Sequence, residues 1–323
     1  MTFDLSQFGL DAKALQSQDT YKTSTAGSVL LLDGDGNAYE AAAGKAKPET
    51  ALRHFERSIY EAMFLAGCEK ARVHLTPRGC FKNGRHLLLG VKPYQLQRSN
   101  NKKPPLVAVL RSERAIDWFA NNDDIEIILN YQIEADDALM IDHYRMTNGI
   151  LLSADKDLNL SPYKSYSMDD GKHIVLPDGD TFGWIDRKHW LTPSLKPASK
   201  MIGKGTKFFL SQMLMGDTAD NVKGIIKLNG KACGEAGAYE ALDPIKDKHE
   251  AVNFVIEAYK KIDQNIIPEA EAMWLLRNAQ DNSLKFFMEH DLTDSNLNFL
   301  NECYHDRKWK MEADDYEGDL NEI

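Results

Sequence analysis

The chain has 323 residues, a formal net charge of −10, 43% hydrophobic residues and 27% charged residues. These values are typical of a globular protein with a sizeable core, and the length predicts two lobes. No stretch is apolar enough to span a membrane, and the N-terminus, with an early acid and no basic region, does not resemble a secretory signal. Four scattered cysteines without paired spacing argue against a disulfide framework or a cysteine metal site, and they indicate a reducing cytoplasm.

The charges are segregated along the chain. Taken whole, the net charge argues against a nucleic-acid partner. However, residues 70–112 contain no Asp or Glu and ten Lys or Arg residues, and residues 187–216 form a second acid-free basic stretch. A solvated lysine-rich face is usually interspersed with acids, so this pattern favours binding to a polyanion.

Strands and helices alternate between residues 28 and 190. Apolar runs predict strands at 28–33, 71–75, 106–110, 125–129 and 149–153, and helical spacing predicts helices at 48–67 and 112–121. A turn at 178–181 predicts a hairpin between residues 174–176 and 182–185. This α/β pattern predicts a mostly parallel central sheet with helices on both faces. Helical signals dominate after about residue 200, which predicts a smaller all-helical C-terminal domain.

Acidic residues follow several of these strands. Asp33 ends the first strand, Asp155 and Asp157 follow the strand at 149–153, and Glu134, Asp136 and Asp137 lie where a helix begins. Asp is a good helix N-cap, which by itself explains the acids at 134–137. Helix capping does not explain Asp155 and Asp157. In extended chain, side chains two residues apart point the same way, so these two carboxylates would repel each other. A divalent metal site at the carboxyl ends of the strands is therefore the hypothesis.

A further acidic pair lies next to a glycine-rich turn. Asp217 and Asp220, three residues apart, would share a face of a helical turn. Gly224, Gly230 and Lys231 follow in a segment ahead of a predicted helix at 234–242. A glycine hairpin between helices presents backbone N–H groups to a phosphate.

Together these motifs resemble the flap-endonuclease/5′–3′ exonuclease family, and most closely the phage replication exonucleases. The resemblance covers residues 28–242 and uses strand-Asp-Gly, Tyr-x-x-x-Arg, Glu-Ala-Asp-Asp, Ser-x-Asp-x-Asp-Leu and Gly-Asp-x-x-Asp-Asn-x-x-Gly, in this order. It implies a PIN/resolvase-like catalytic domain at 1–200, with a basic arch at 77–105 that passes a 5′ single strand. It also implies a DNA-binding domain at 201–323 with a helix-hairpin-helix-like element and an acidic tail.

The resemblance implies a site residue by residue. The first of two Mg²⁺ ions, which Mn²⁺ can replace, would be held by Asp33, Glu134 and Asp136 with Asp137 alongside. The second would be held by Asp155, Asp157 and Asp217, with Asp220 in or behind that shell. Further residues would steer the scissile phosphate: Arg98, Lys82, Arg85 and Lys92. Others would contact DNA, with K⁺ at the hairpin: Arg78, Tyr94, Gln95, Lys102, Lys103, Gly224, Gly230 and Lys231.

The chain departs from the family pattern after the second strand, in the arch, and in the glycine hairpin at 224–231, which is longer than usual. Where the family has an Asp after the second strand, this chain has Thr76 and Pro77, and Asp35 is a candidate substitute. Gln95 replaces the arch lysine, and Lys92 would supply its charge. The predicted function is a two-metal 5′–3′ exonuclease and flap endonuclease acting on DNA during phage-type replication, as a cytoplasmic monomer with replication proteins as partners. The alternatives are ribonuclease H-like cleavage of RNA–DNA hybrids and a DNA-structure-binding protein with weakened catalysis.

Overall fold

A mostly parallel sheet forms the centre of the computed structural model, which describes residues 25–97, 103–316 and 318. Its parallel strands are β1 (Val29–Asp33), β2 (Lys70–Leu75), β3 (Ile125–Leu129), β4 (Gly149–Leu152) and β5 (Ser165–Ser167). The antiparallel β6 (Lys172–Ile174) closes one edge, in the order β3-β2-β1-β4-β5-β6. The predicted α/β class is confirmed.

Helices cover both faces of this sheet, as predicted. Leu30 and Leu32 of β1 pack on one side, whereas Leu31 packs on the other, because alternate side chains of a strand point to opposite faces. The first face carries α1 (Gly34–Ala42), α2 (Pro48–Ala66), α3 (Val107–Leu110) and α4 (Glu113–Phe119). The second face carries α5 (Ala135–Arg145) and α6 (Thr206–Met215).

The C-terminal part is largely helical and shares its core with the sheet. Its helices are α7 (Glu235–Leu242), α8 (Lys248–Lys261), α9 (Ile267–Met273), α10 (Ser283–Met288) and α11 (Asp294–Asn301). Their buried side chains belong to the same apolar cluster as Leu31 of β1. The expected boundary near residue 200 falls within β8 (Pro197–Lys204), so the division into two domains stays a prediction.

Local signals explain most of the helix ends. Pro48 occupies the first turn of α2, where its missing N–H costs no hydrogen bond, and Gly67 ends the helix with φ 70°. The Ser112 side chain caps α4 by accepting a hydrogen bond from the N–H of Arg114. None of the described helices has both the length and the apolar character needed to cross a bilayer.

Two predicted strand assignments are wrong. The apolar run at 106–110 forms helix α3, because a short apolar run has no period that separates a strand from a helix. The predicted hairpin is also absent: β6 pairs with β5, whereas β7 (Trp184–Leu191) pairs with β8 in a separate two-stranded sheet. The turn at 178–181 therefore connects two sheets.

Residues 77–97 differ from the long mobile arch that was expected. A short 3₁₀ turn spans Lys82–Leu87, and the N–H of Leu89 donates to the carbonyl of Trp309 at 2.9 Å. The N–H of Gln95 donates to the carbonyl of Asp220 at 2.9 Å. These long-range hydrogen bonds pack the segment against the C-terminal part; residues 98–102 lie outside the described residues.

Candidate metal centre

The carboxyl ends of β1 and β4 lie side by side at the centre of the sheet. From β1 the chain runs outward to β2 and β3 on one side, and it returns to β4 on the other side of β1. Ligands of open α/β sheets bind at such a reversal of strand order, outside the carboxyl ends of the strands. Asp33 ends β1, and Ser153 and Asp155 follow β4, so the fold brings two of the predicted acidic positions to these neighbouring strand ends.

Asp33 is fixed by two hydrogen bonds. Its carboxylate accepts hydrogen bonds from the hydroxyl of Ser153 at 2.8 Å and from the N–H of Asp35 at 3.0 Å. Burial and the negative charges of Asp35 and Asp155 nevertheless raise the pKa of Asp33 to about 7. An elevated carboxyl pKa means that the site disfavours another negative charge and would favour a cation.

Asp136 lies in the first turn of α5 and faces the same acids. Burial, followed by the charges of Asp33, Asp155 and Glu134, raises the pKa of Asp136 well above its usual value. Its carboxylate makes no hydrogen bond or ion pair within the described residues, unlike the neighbouring Asp137. In the part of the chain that the structure describes, no lysine or arginine therefore neutralises the charge of the Asp136 carboxylate.

Glu134 accepts several protein hydrogen bonds instead of pointing to an open site. Its carboxylate accepts hydrogen bonds from the Tyr94 hydroxyl at 2.8 Å and from the Arg85 guanidinium at 3.1 Å. The Gln95 amide also donates to it at 3.4 Å, and the Lys82 ammonium lies 3.7 Å away. The predicted role of Glu134 as a ligand of the first ion would therefore require some of these donors to leave.

Asp137 and Arg85 form a buried ion pair, which corrects both expected roles. Asp137 was expected beside the first ion and Arg85 at the scissile phosphate. The two guanidinium nitrogens of Arg85 instead donate to the two Asp137 oxygens at 2.7 and 2.8 Å, and Arg85 also donates to the carbonyl of Trp274 at 2.8 Å. The side chains are 0% and 3% exposed, so neither group reaches a substrate.

Lys82, Tyr94 and Gln95 also differ from the expected surface contacts with DNA. All three are buried, and the Lys82 ammonium donates to the Gln95 side-chain carbonyl at 2.6 Å. Gln95 in turn donates to the Tyr94 oxygen and to Asp220, each at 2.9 Å. Sequence reasoning missed this network because its members look like basic and aromatic surface residues until the partners are known.

A second group of acids surrounds Lys156. The Lys156 ammonium contacts the carboxylate of Asp217 and lies 3.5 Å from that of Asp157. The Gln212 amide donates to Asp157 at 2.5 Å, and the N–H of Ala219 donates to Asp217 at 2.7 Å. Burial and the charge of Asp155 raise the pKa of Asp157 well above its usual value. Burial raises the pKa of Asp217 too, but Lys156 and the hydrogen bond from the N–H of Ala219 together lower it by more, so the net pKa is lowered.

The Asp217–Asp220 segment is a turn, so the expected helical face is wrong. The N–H groups of Asp217 and Val222 donate to each other's carbonyls at 2.8 and 2.7 Å, which closes a tight loop. Asp217 is buried beside Lys156, whereas Asp220 accepts a hydrogen bond from Gln95. Glycines on both sides, rather than a helix-forming run, produce this turn: Gly216 and Gly224 both have positive φ.

Asp35 lies where the missing strand-two acid was expected, but it is paired. Its carboxylate accepts a hydrogen bond from the N–H of Thr76 at 2.9 Å, directly after β2. The Arg111 guanidinium also donates to it at 2.7 Å and lies 5.5 Å from the ring of Tyr39. Arg111 was counted in the basic stretch but not assigned to the site. No local signal links it to Asp35, because 76 residues separate them.

The remaining predicted DNA contacts lie in different environments. Arg78, Lys92 and Lys103 are exposed. Gly230 and Lys231 are exposed at a tight turn, where Leu228 and Lys231 pair. Gly224 is buried and its N–H donates to Glu269 at 2.8 Å, so it is not available for a phosphate, contrary to expectation. Arg98 and Lys102 lie outside the described residues.

The acids fit a hard cation by chemistry but are not arranged around one. Among the described residues, no three carboxylate, histidine or cysteine side chains are grouped closely enough to hold a metal ion. Burial and mutual repulsion raise the pKa values of Asp33 and Asp136, and Asp136 has no partner among the described residues, so these acids and Asp155 are chemically suited to a hard divalent cation that prefers oxygen ligands. Arg111 contacts the neighbouring Asp35, and Lys156 contacts Asp217.

No protein-family model matches the chain, and no curated protein matches it. Among solved structures, the chain is similar to the T5 D15 protein co-crystallized with metal ions, with a TM-score of 0.41, 13% identity, and coverage of 84% of this chain and 99% of that chain. It is also similar to the T5 5′-exonuclease with bound zinc ions, with a TM-score of 0.42, 13% identity, and coverage of 86% and 98%.

A third similar structure is the bacteriophage T5 D15 flap endonuclease in a pseudo-enzyme–product complex with DNA and metal ions. Its TM-score is 0.41, its identity is 14%, and the similarity covers 85% of this chain and 99% of that chain. The chain thus resembles flap-endonuclease and 5′-exonuclease structures over most of its length. At these TM-scores, any functional inference depends on the residues of this chain.

Proposed function

We propose that the chain is a divalent-metal-dependent nuclease that hydrolyses DNA phosphodiesters at 5′ ends, as a 5′–3′ exonuclease and 5′-flap endonuclease. The observation that carries the proposal is the group of Asp33, Asp136 and Asp155 at the strand-order reversal. Burial, followed by mutual repulsion, raises the pKa values of Asp33 and Asp136, and Asp136 has no protein partner among the described residues. Such a group is suited to cations that bind phosphodiesters.

Two bound ions would supply an activated water and would stabilise the leaving 3′ oxygen of the phosphodiester. Asp33, Asp136 and Asp155 would hold the first, and Asp157 and Asp217 the second. Other residues orient these carboxylates: Ser153 binds Asp33, Gln212 binds Asp157, and the N–H of Ala219 binds Asp217. Hydrogen bonds of this kind fix the direction of metal-binding oxygens before substrate arrives.

Exposed basic residues of the segment 77–97 support a nucleic-acid substrate. Arg78 and Lys92 are exposed, whereas Lys82 and Arg85 are buried in ion pairs. Backbone charge rather than base identity would then determine binding. The preference for 5′ ends comes from the family resemblance, since no described contact distinguishes a 5′ from a 3′ end.

The test is Mg²⁺-dependent cleavage of a 5′-labelled duplex, a 5′-flap and an RNA–DNA hybrid. We expect short 5′ products from the DNA substrates, and no cleavage by the Asp155→Asn/Asp157→Asn variant, which should still bind DNA. Asp178→Asn makes the same chemical change at an exposed turn and should cleave normally.

Two outcomes would contradict the proposal. Preference for the hybrid would favour the ribonuclease H-like alternative. Flap binding without cleavage in Mg²⁺ or Mn²⁺ would favour a DNA-structure-binding protein, and Thr76 in place of the family's strand-two acid would then be the decisive difference.

A further inference from the structure

Lys156 lies inside the second acidic group, between two of its acids in the sequence. It belongs to the 3₁₀ turn Lys156–Leu160 that follows β4. Its ammonium contacts an Asp217 oxygen and lies 3.5 Å from an Asp157 oxygen, while the lysine side chain remains 40% exposed. One cation of the protein thus bridges two carboxylates that are only 1% and 9% exposed.

Two neutral donors among the described residues also contact these carboxylates. Gln212 donates to Asp157 at 2.5 Å, and the N–H of Ala219 donates to Asp217 at 2.7 Å. Neither donor offsets a full negative charge, and burying two carboxylates without a cation is costly. The Lys156 ammonium therefore provides the positive charge that the pair requires in the metal-free protein.

We propose that Lys156 is an internal counter-cation of the Asp157–Asp217 pair, and that a divalent ion binds this pair only by displacing the lysine ammonium. The inference rests on the proposed function, because it concerns the second ion of that site. An ammonium and a divalent ion that use the same carboxylate oxygens exclude each other by contact and by charge. Because the lysine side chain is partly exposed, its ammonium can move into solvent when the ion enters.

The proposal separates the two ion positions. No lysine or arginine contacts Asp136 among the described residues, whereas the Asp157–Asp217 pair already has its cation. An ion at the first position gains the full attraction of its acids. An ion at the second position must also break the contacts of Lys156, so it should bind more weakly.

The experiment is calorimetric titration of Mn²⁺ into the full chain without DNA, comparing wild type with Lys156→Met. We expect a tight first ion in both proteins and a second ion that binds about tenfold or more tightly in the variant, since each factor of ten corresponds to about 1.4 kcal/mol. Lys188→Met removes a lysine that is 44% exposed and pairs with Asp169, so it is a matched control and should leave both ion affinities unchanged.

A second readout is stability without divalent ions. Lys156→Met should unfold at a lower temperature than wild type, and Mn²⁺ should raise its melting temperature more than that of wild type. Lys156→Gln keeps a hydrogen-bond donor without the charge and serves if the methionine variant does not fold; it should show the same direction of change.

The outcomes distinguish this inference from the proposed function. Equal second-ion affinity in wild type and in the folded Lys156 variants would overturn the counter-cation role. Ion binding that responds to Lys156 as expected, but without cleavage of any substrate, would support the counter-cation role while contradicting the nuclease. Absence of any divalent-ion binding at millimolar concentration would overturn both.

Discussion

Arg85 illustrates how a basic residue can be conspicuous in the sequence and yet be structural. Its guanidinium is 3% exposed and binds the carboxylates of Asp137 and Glu134 as well as the carbonyl of Trp274. Removing one partner of a buried ion pair is strongly destabilising because it leaves the other charge uncompensated. Arg85 thus holds the N-terminal turn of α5 against the C-terminal part.

We predict that Arg85→Met lowers the free energy of unfolding by about 3–5 kcal/mol, measured by urea denaturation. The double variant Arg85→Met/Asp137→Leu should recover part of this loss, because it removes the stranded carboxylate as well. A folded Arg85→Met protein of normal stability that cleaved slowly in single turnover would instead support the phosphate-steering role.

Lys204 is a buried lysine outside the candidate site. It is 1% exposed at the end of β8, and its ammonium donates to the Ser165 hydroxyl at 3.0 Å. Burial lowers the pKa of Lys204 from 10.5 to about 8. Below pH 8 the lysine is charged in both folded and unfolded states, so the fold carries the full cost of the buried charge. This cost falls as the pH rises from 8 to 10.5.

We predict that Lys204→Met raises the free energy of unfolding at pH 7 by up to about 3 kcal/mol, from a shift of 1.36 kcal/mol per pKa unit. The gain should shrink between pH 8 and 10.5, as urea denaturation at several pH values would show. Lys200→Met on the same strand is 51% exposed and should change stability little at any pH. A gain that does not depend on pH would mean that packing, rather than charge, causes it.

The sequence therefore predicts the positions of some residues of the site but not of others. Asp33 and Asp155 could be placed because Asp33 ends the apolar strand β1 and Asp155 comes shortly after the apolar strand β4, and the ends of parallel strands meet at one edge of a sheet. Asp137 and Arg85 could not, because their contact joins positions 52 residues apart. The sequence shows Lys156 between Asp155 and Asp157. The direction in which its side chain points depends on Asp217, which is 61 residues away, so the sequence does not predict it.

At the level of elements, a single carboxylate connects the segment 77–97 to the loop at 216–224. Glu269 of α9 is 1% exposed, and its two oxygens accept hydrogen bonds from the N–H of Val91 at 2.6 Å and from that of Gly224 at 2.8 Å. Buried N–H groups that lose their acceptor cost about 1–3 kcal/mol each. Glu269 therefore holds in place two segments that border the candidate site.

We predict that Glu269→Ala lowers the free energy of unfolding by about 2–4 kcal/mol and accelerates amide hydrogen exchange at Val91 and Gly224. Glu269→Gln keeps a side-chain acceptor and should show a smaller change. The Leu89 amide, which donates to Trp309, serves as an internal control and should exchange at its original rate. Uniform acceleration across the protein would indicate global destabilisation instead of release of these two segments.

Elements with a clear period were predicted well, and elements whose structure depends on distant partners were not. The apolar spacing of α2 and the short buried strands β1 to β4 are local signals, and the structure confirms them. Residues 77–97 lack a period, and they owe their conformation to Trp309, Asp220 and Glu269. A sequence pattern does not contain these contacts, so the segment looked like an independent arch.

For the whole molecule, the distribution of charge matters more than its sum. The net charge is −10, yet Arg78 and Lys92 are exposed within a stretch of 43 residues, 70–112, that has no acid. Two of the basic residues in this stretch, Lys82 and Arg85, form ion pairs with buried carboxylates and are not available to a ligand. A phosphate backbone would contact the exposed basic residues, such as Arg78 and Lys92.

We predict that DNA binding weakens steeply with salt despite the net negative charge. Four phosphate contacts would weaken duplex binding about 100-fold between 50 and 200 mM salt, because each contact releases condensed counterions. Fluorescence anisotropy of a 5′-flap with the Asp155→Asn/Asp157→Asn variant measures the slope without cleavage. Adding Arg78→Gln and Lys92→Gln should reduce that slope by up to about two contacts, whereas Lys285→Gln, on α10, should leave it unchanged. A salt-independent affinity would show that the acid-free stretch does not bind phosphates, and the nucleic-acid substrate would have to be abandoned.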